Sequence, residues 1–258
     1  MILNYMKNSE ATRYLQLATV PVLLLFVWQW VAASGSVSVI LLPSPRSVAE
    51  TFLELVGNGE LLEHIVSSAK RTLSGFALSS VIGISLAFLF SQSQRSKNLA
   101  YFVIEAARVT PPLALIPLLI LWLGIEEAPK VAIVFLSSFF PIYLNALTAI
   151  ESVELKLKEV AQTLEFTTWE TFRYLTIPSS LPGILTGLRV GFGYSWRALV
   201  GAELIAASSG LGFMISEASE FSKTSVVFVG IFTIIAIGVV MDWILSALIR
   251  RYAKYFVI

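Results

Sequence analysis

The 258 residues are 56% hydrophobic and 14% charged, and the mean hydropathy is +0.79. A soluble domain carries about 25% charged residues, so this composition excludes a water-soluble fold. The formal net charge of +1 argues against a nucleic-acid partner. With no cysteine and one histidine, the chain lacks the residues for a disulfide framework or a histidine-rich metal centre, and His64 is interpreted as an interfacial polar residue.

Six apolar stretches of about 20 residues follow one another, and this length crosses the hydrocarbon core of a bilayer. None of them alternates with period two, so each is predicted to be a helix, because lipid offers unpaired backbone groups no partner. The stretches are residues 15–33, 73–90, 99–123, 131–150, 181–206 and 226–249. The predicted fold class is all-α: a polytopic membrane protein of about six transmembrane helices. Residues 1–258 form a single transmembrane domain, with its core bundle at 70–250.

The first stretch, 15–33, has two interpretations. It follows Lys7 and Arg13 and ends in small residues, as a secretory signal peptide does. It is longer and richer in aromatic residues than a signal core of about 7 to 15 residues. A retained anchor helix is therefore the favoured interpretation.

The segment at 41–63 opens with two prolines and carries Val48, Phe52 and Leu55 at helical spacing beside four glutamates. This pattern predicts a short amphipathic helix on the outer surface. Lys70 and Arg71, which follow it, are assigned to the same outer side.

The placement of Lys and Arg predicts the orientation. Most of those outside the apolar stretches fall in segments that are cytoplasmic if the N-terminus lies inside. The positive-inside rule therefore places both termini, and the loop at 151–178, in the cytoplasm.

This loop, 151–178, is too charged to cross the bilayer but is strongly patterned. The apolar residues of its first half recur on one helical face: Leu157, Val160, Ala161 and Leu164. A second short helix is predicted to follow, because Thr167 and Glu170 have the spacing of a capping box. Pro178 is predicted to end that helix.

The second half of the loop is rich in aromatic residues. Phe166, Trp169 and Phe172 give it more apolar surface than a solvated loop needs. Two interpretations remain open on pattern alone. The helix pair docks into a groove of a partner protein, or it lies as an amphipathic hairpin on the inner leaflet.

Three runs of sequence carry a family resemblance. The run "EVAQTLEFTTWETFRYLTIPSSLPGILTGLRVG", residues 159–191, resembles the EAA-loop signature of permease subunits in binding-protein-dependent ABC importers. The resemblance continues in "AELIAASSGLGFMI", 202–215, and in "PPLALIPLLILWLGI", 111–125. All three runs are similar to the nitrate, taurine and aliphatic-sulfonate branch, and the run at 202–215 is most similar to taurine permeases.

The resemblance implies a type I ABC importer permease fold in the inner, or plasma, membrane of a prokaryote. It implies a homodimer, two cytoplasmic ATPase subunits and an extracytoplasmic solute-binding protein. The expected solute is a small anion, with taurine or another sulfonate as first choice and nitrate or bicarbonate next. An uncharged thiamine-precursor-like molecule also remains open. No phosphate-binding loop motif occurs in this sequence, so ATP and Mg²⁺ are expected on the ATPase and no cofactor on this chain.

The resemblance also implies that the loop contains the coupling helix that inserts into the ATPase. The residues carried over to this role are Glu159, Ala161, Leu164, Glu165, Phe166, Thr167, Thr168, Trp169, Phe172 and Pro178. One departure concerns the turn, where Glu165-Phe166 stands in place of the family's glycine and small residue. Glycine suits a left-handed turn, so the turn geometry is left open.

Other residues are candidates for the solute pathway: Pro111, Pro112, Arg189, Tyr194, Arg197 and Glu203. Arg197 lies 15 residues beyond Pro182, about 22 Å along a helix, and is a candidate for attracting an anion. Glu203 has two interpretations, as the partner of Arg197 in another subunit or as part of the outer interface. The prolines predict a bend in the third stretch.

Further expectations concern packing. Gly183, Gly187 and Gly191 are spaced four apart on one helix face, which packs either within the chain or across a dimer axis. Glu105 and Arg108 are predicted to pair, and the role of Asp242 is open. The turn at 208–212 is predicted to be re-entrant near the outer gate.

Two other functions compete with an importer subunit. An ion-coupled secondary carrier would favour inverted repeats and membrane-embedded acidic sites. An intramembrane enzyme is disfavoured because few residues are suited to acid–base chemistry. The expected function is a transport subunit and not an enzyme.

Overall fold

The computed structural model describes residues 19–253, and within that range every regular element is a helix. The α-helices are α1 (Thr19–Ala33), α2 (Pro45–Gly57), α3 (Glu60–Ser91), α4 (Gln94–Val109), α5 (Ile116–Leu123), α6 (Glu127–Glu151), α7 (Leu155–Thr163), α8 (Thr168–Glu170), α9 (Ile177–Ala206), α10 (Leu211–Glu220) and α11 (Thr224–Ala253). A 3₁₀ turn at Pro112–Leu115 precedes α5, and a π-helical turn at Thr171–Thr176 precedes α9. The all-α class predicted from the sequence is confirmed.

In the described range, three helices are long and apolar enough to cross a membrane: α3, α6 and α11 through Arg251. Two further spans are possible if each bent helix pair counts as one. The predicted first span, 15–33, lies partly outside the described residues, and its described part, α1, is a shorter apolar helix. The described residues therefore contain three to five spans, and the predicted count of six stays a prediction.

The third predicted span is broken rather than gently bent. The helices on either side of Thr110–Pro111 meet at 89°. Thr110 is extended, with φ −74° and ψ 123°, because the ring of the following proline disfavours a helical conformation at the residue before it. The predicted bend at the prolines is confirmed, and the angle between the two helices is close to a right angle.

Pro178 does not end a helix, contrary to the prediction. The chain stays helical from α8 through the π-helical turn into α9, where the amide of Ile177 donates to the carbonyl of Phe172. Pro178 lies in the first turn of α9. The π-helical turn directly before it departs from regular i→i−4 pairing, and a proline, which has no N–H to donate, is accommodated at such a departure.

The described residues form two compact units, and one of them comprises residues up to Leu61 together with Met214–Phe232. In it, α2 begins at an N-cap, Ser44, and buries Val48 and Leu55. The ring of Trp28 stacks on Phe228, with 5.3 Å between centroids. The predicted amphipathic segment, 41–63, therefore contains a helix but ends too late, because its last residues belong to α3.

The other unit comprises Leu62–Phe213 and the chain from Thr233 onward, and its centre is the packing of α9 on α6. The glycine face of α9 meets α6 of the same chain. A Cβ on Gly187 would lie 2.8 Å from the Cβ of Asn145, and one on Gly191 would lie 2.6 Å from Ile142. Gly183 similarly abuts Ala149. Of the two interpretations of this face, the structure supports packing within the chain.

This close approach predicts a difference between two neighbouring glycines. Gly191→Ala should cost about 1–3 kcal/mol, because the new methyl group overlaps Ile142. Gly193→Ala is the matched control, since its new Cβ would meet only the end of the Arg197 side chain at 3.5 Å. Thermal unfolding of the detergent-purified protein should show a lower midpoint for Gly191→Ala alone. Equal midpoints for the two variants would contradict the packing.

Candidate functional site

A cavity of about 580 Å³ lies between α6, α9, the end of α4 and the 3₁₀ turn. Its polar lining consists of Arg108, Ser137, Tyr194 and Arg197, and the rest is apolar. Three of the predicted pathway residues, Pro112, Tyr194 and Arg197, line it together. The structure therefore gathers half of the sequence candidates around one space.

Arg197 is exposed in the single chain, and its guanidinium lies 5.6 Å from the centroid of the Tyr194 ring, where a cation–π contact orients it. Among the residues that the structure describes, no carboxylate lies within ion-pair distance of it. Arg108, the other cation of the lining, pairs with Glu105 as predicted. Arg197 therefore keeps its charge available to the cavity.

Ser137 was missed by the sequence analysis. Its Oγ is buried and has no hydrogen-bond partner within residues 19–251. Buried hydroxyl groups almost always find a partner, so this one is suited to bind a ligand or water in the cavity. A serine in an apolar run gives no signal by itself, because it can equally donate to a carbonyl of its own helix, as neighbouring Ser138 does at 2.7 Å.

Arg189 lies outside the cavity lining. Its Nε and Nη2 atoms donate to the two carboxylate oxygens of Asp242 on α11, each at 2.8 Å. This pair answers the question that the sequence left about Asp242. Sequence spacing could not identify it, because the partners are 53 residues apart.

Glu203 also lies outside the lining, in a polar group that we call the Arg71 cluster: Ser68, Arg71, Glu127, Glu203 and Ser209. Ser68, Arg71 and Glu203 are buried, whereas the Glu127 side chain is exposed. The Arg71 Nη1 atom donates to Glu203 at 2.7 Å and to the Ser209 carbonyl at 2.6 Å. Ser68 and the amide of Gly212 also donate to the Glu203 carboxylate, at 2.9 and 3.0 Å. In the described chain Glu203 is thus paired with Arg71.

The sequence analysis assigned Arg71 to an outer segment between predicted spans. The structure shows it inside a helix instead, and the side of the membrane on which it lies stays a prediction. It lies on α3 with its side chain 3% exposed, and its Nε and Nη2 atoms also donate to Glu127 at 2.5 and 2.7 Å. His64 is likewise buried and not interfacial, and its Nδ1 accepts from the amide of Gly210 at 3.1 Å. The sequence analysis did not use the i, i+4, i+7 spacing of His64, Ser68 and Arg71, which would have placed the three on one helix face.

The loop at 151–178, predicted to contain the coupling helix, begins with α7, which ends in a left-handed turn. Glu165 has a φ of +55°. Its amide donates to Gln162 at 3.0 Å and the amide of Phe166 donates to Ala161 at 3.0 Å, which is the Schellman pattern. The glutamate therefore makes the turn for which glycine is the usual residue.

The second helix of the loop begins at Thr167 with the predicted capping box. The Glu170 amide donates to the Thr167 hydroxyl, and the Thr167 amide donates to the Glu170 carboxylate at 2.8 Å. Trp169 remains 63% exposed, whereas Phe172 packs edge-on against Phe88 of α3 with 5.0 Å between ring centroids. Val160 and Leu164 on the first helix are also exposed.

Comparison with known proteins identifies the family. Residues 79–254 match the model of the "binding-protein-dependent transport system inner membrane component". The chain belongs to this family of ABC importer permeases. The resemblance found in the sequence is thereby confirmed, and the permease is a transport subunit of an integral membrane complex, not an enzyme.

Curated relatives support the same branch. The permease is 37% identical to the aliphatic sulfonates transport permease SsuC of Bacillus subtilis over 96% of this chain and 93% of that protein. It is 36% identical to the taurine transport system permease TauC of Escherichia coli over 90% and 86%. It is 30% identical to the nitrate import permease NrtB of Synechocystis over 85% and 82%.

Solved structures share the fold. A chain of an amino acid ABC transporter superposes with a TM-score of 0.64 at 21% identity, over 79% of this chain and 98% of that one. A chain of the methionine transporter MetNI in an inward-facing conformation gives 0.63 at 14% identity, over 77% and 96%. The type I importer permease fold is therefore confirmed.

The left-handed turn predicts an effect of Glu165→Gly. Glycine relieves about 1–2 kcal/mol of steric cost, which exceeds the roughly 0.5–1 kcal/mol of entropy it loses on folding. Hydrogen exchange of the amides in α7 should therefore become slower. Glu159→Gly, inside α7, is the matched control. It should destabilise the helix by about 1 kcal/mol and make the exchange of its amides faster. Faster exchange in both variants would contradict the turn geometry.

Proposed function

We propose that the permease works as a homodimer with two ATPase subunits and an extracytoplasmic binding protein, and imports a small sulfonate such as taurine. The observation that carries this proposal is the unpaired Arg197 in the cavity beside the unpartnered hydroxyl of Ser137. A charge inside a membrane-spanning segment is costly unless it is paired or faces water. An anionic solute is a fitting counter-ion for it.

The combination of polar and apolar groups in the lining favours a sulfonate over nitrate. A sulfonate offers three acceptor oxygens to a guanidinium and a hydroxyl, while its carbon chain needs an apolar surface. Leu136, Leu144 and Val190 provide apolar lining. Nitrate has no apolar part, so it is the second choice, and bicarbonate is the third by the same reasoning.

The case for a second copy rests on the exposed face of α9. Thr186, Val190, Tyr194 and Arg197 lie on one side of this helix and are exposed in the single chain. A helix face that carries an arginine is unfavourable in contact with lipid. We therefore expect this face to contact water and a second subunit. We therefore assign the open side of the cavity to the dimer axis.

The coupling role rests on the exposed apolar residues of the loop. Val160, Leu164 and Trp169 present apolar surface next to a charged segment that cannot enter the bilayer core. A protein groove fits this pattern, and the proposed occupant is the cytoplasmic ATPase. This assignment places residues 151–178 and both termini in the cytoplasm.

The solute assignment is tested by uptake in proteoliposomes that contain the permease, its ATPase and its binding protein. Radiolabelled taurine should enter only when ATP is present on the side of the membrane that carries the ATPase. Excess aliphatic sulfonate should compete with taurine more strongly than nitrate does. Arg197→Gln should reduce uptake about tenfold or more, since a charged hydrogen bond contributes about 1.5–3 kcal/mol. Arg46→Gln is the control, because Arg46 is exposed and pairs only with Glu50. Uptake driven by an ion gradient without ATP would contradict the proposal.

The docking of the loop is tested by Trp169→Ala. Removing the exposed indole should weaken the ATPase contact, so that ATP hydrolysis by the complex loses its stimulation while the amount of permease in the membrane is unchanged. Trp30→Ala, an exposed tryptophan on α1, is the matched control and should behave as the wild type. Wild-type hydrolysis and uptake in Trp169→Ala would count against this docking surface.

A further inference from the structure

Helix α3 connects two features that lie far apart in the membrane-spanning unit. Arg71 joins it to α6, α9 and the segment 207–210, and Phe88 joins it to the coupling loop. These two residues are 17 positions apart, which is about 25 Å along a helix. One straight element thus contacts both the loop and the turn after α9.

The main effect of the Arg71 cluster is to fix the position of the segment 207–210, and its contribution to the stability of the fold is small. Desolvation of a buried ion pair cancels much of the attraction, so burial of the Arg71 and Glu203 side chains, 3% and 0% exposed, is weak evidence of a stability role. A fully hydrogen-bonded buried network does select one arrangement of its parts. Here it selects the position of the segment 207–210, because Arg71 holds both the carbonyl and the hydroxyl of Ser209.

The segment 207–210 has little freedom of its own. Gly210 has a φ of +110°, and a Cβ there would collide with the Glu203 carboxylate. The amides of Gly210, Leu211 and Gly212 donate to His64, Ser68 and Glu203 in turn. Two of these three acceptors, His64 and Ser68, lie on α3. A displacement of α3 is therefore expected to displace the segment as well.

The other end of α3 meets the aromatic residues of the coupling loop. Phe88 contacts Phe172, and Phe172 contacts the exposed Trp169 with 5.6 Å between centroids. A displacement of Trp169 by a docked partner therefore reaches α3 through two ring contacts.

Between its ends α3 is stiff and closely packed. It contains no proline, the commonest cause of a sharp kink. Gly75 lets it approach α6 so closely that a Cβ there would lie 2.6 Å from Val134, and Ser79 and Ser138 share a hydrogen bond of 2.6 Å. A helix packed this closely passes a displacement along its length with little bending.

The segment 207–210 also lies near one end of the cavity. It follows α9 about 15 Å beyond Arg197, at 1.5 Å per residue. Between them, Gly201 packs against Leu113, which lines the cavity, so that a Cβ on Gly201 would lie 2.9 Å from it. Gly201 therefore connects the end of α9 that carries the segment to the cavity lining.

We propose that α3 carries displacement of the coupling loop to the segment 207–210, with Arg71 as the positioning residue at the far end and Phe88 at the near end. This inference rests on the proposed function. Without the Arg71 contacts the segment no longer follows the loop, so ATP hydrolysis proceeds but no longer drives the cavity.

The test uses the complete transporter in proteoliposomes and measures taurine uptake and ATP hydrolysis together. Arg71→Gln and Glu203→Gln should lower the number of taurine molecules imported per ATP hydrolysed by at least about fivefold, the lower range of typical coupling. Arg71→Lys should restore part of this ratio, because it keeps the charge. Arg46→Gln, a surface arginine, should leave the ratio unchanged.

A double-mutant cycle tests whether both ends act along one helix. Phe88→Leu should lower the same ratio, and Phe88→Leu combined with Arg71→Gln should lower it no further than the stronger single variant. If the double variant lowers the ratio by the product of the two single effects, the proposal is overturned. A parallel fall of uptake and hydrolysis at a constant ratio, which is what a merely structural role of Arg71 produces, would also overturn it.

The outcome also separates this inference from the proposed function. If the wild-type complex imports no taurine, sulfonate or nitrate with ATP, the proposed function fails first. If the wild type transports and Arg71→Gln keeps the wild-type ratio, the inference alone fails.

Discussion

The constraint on which this structure depends is that a charge within an apolar bilayer must be neutralised or kept wet. Arg71 is neutralised by two glutamates, Arg189 by Asp242 and Arg108 by Glu105. Arg197 is the cation in the described cavity lining for which no such pair exists. The same constraint that explains the paired residues therefore makes Arg197 the candidate position for the anion that we propose as solute.

Close helix packing is the second determinant, and it follows from the placement of small residues. Gly75 on α3 and Gly187 and Gly191 on α9 bring both helices against α6, where any Cβ would overlap. Such contacts leave no soft layer between the helices. They therefore suit the proposal that displacement of the loop at 151–178 reaches the helices around the cavity.

The sequence was sufficient for features that depend on local pattern. Apolar length predicted the helices, proline chemistry predicted the break at Thr110, and the spacing of Thr167 and Glu170 predicted the capping box. It was not sufficient where tertiary contacts decide. Pro178 was expected to end a helix, but the helix continues through it, and the π-helical turn before it is the local irregularity that accommodates a residue without an N–H.

Long-range pairs were the main omission of the sequence analysis. Arg71 stands at the border of an apolar stretch, so charge counting assigned it to the outside, although α3 begins eleven residues earlier, at Glu60. Its partners Glu127 and Glu203 come from distant helices that no spacing rule connects. The turn at Glu165 was undecided for a different reason, because left-handed geometry favours glycine without requiring it.

The central claim, that the Arg197 face of α9 borders a water-filled pathway, is open to direct measurement because the chain contains no cysteine. Single cysteines would be introduced as Tyr194→Cys on that face and Trp243→Cys on the exposed apolar side of α11. A charged, water-soluble thiol reagent should modify the first in membranes and leave the second unmodified. Modification of the α11 position at an equal rate, or an inert cysteine at position 194, would contradict the account.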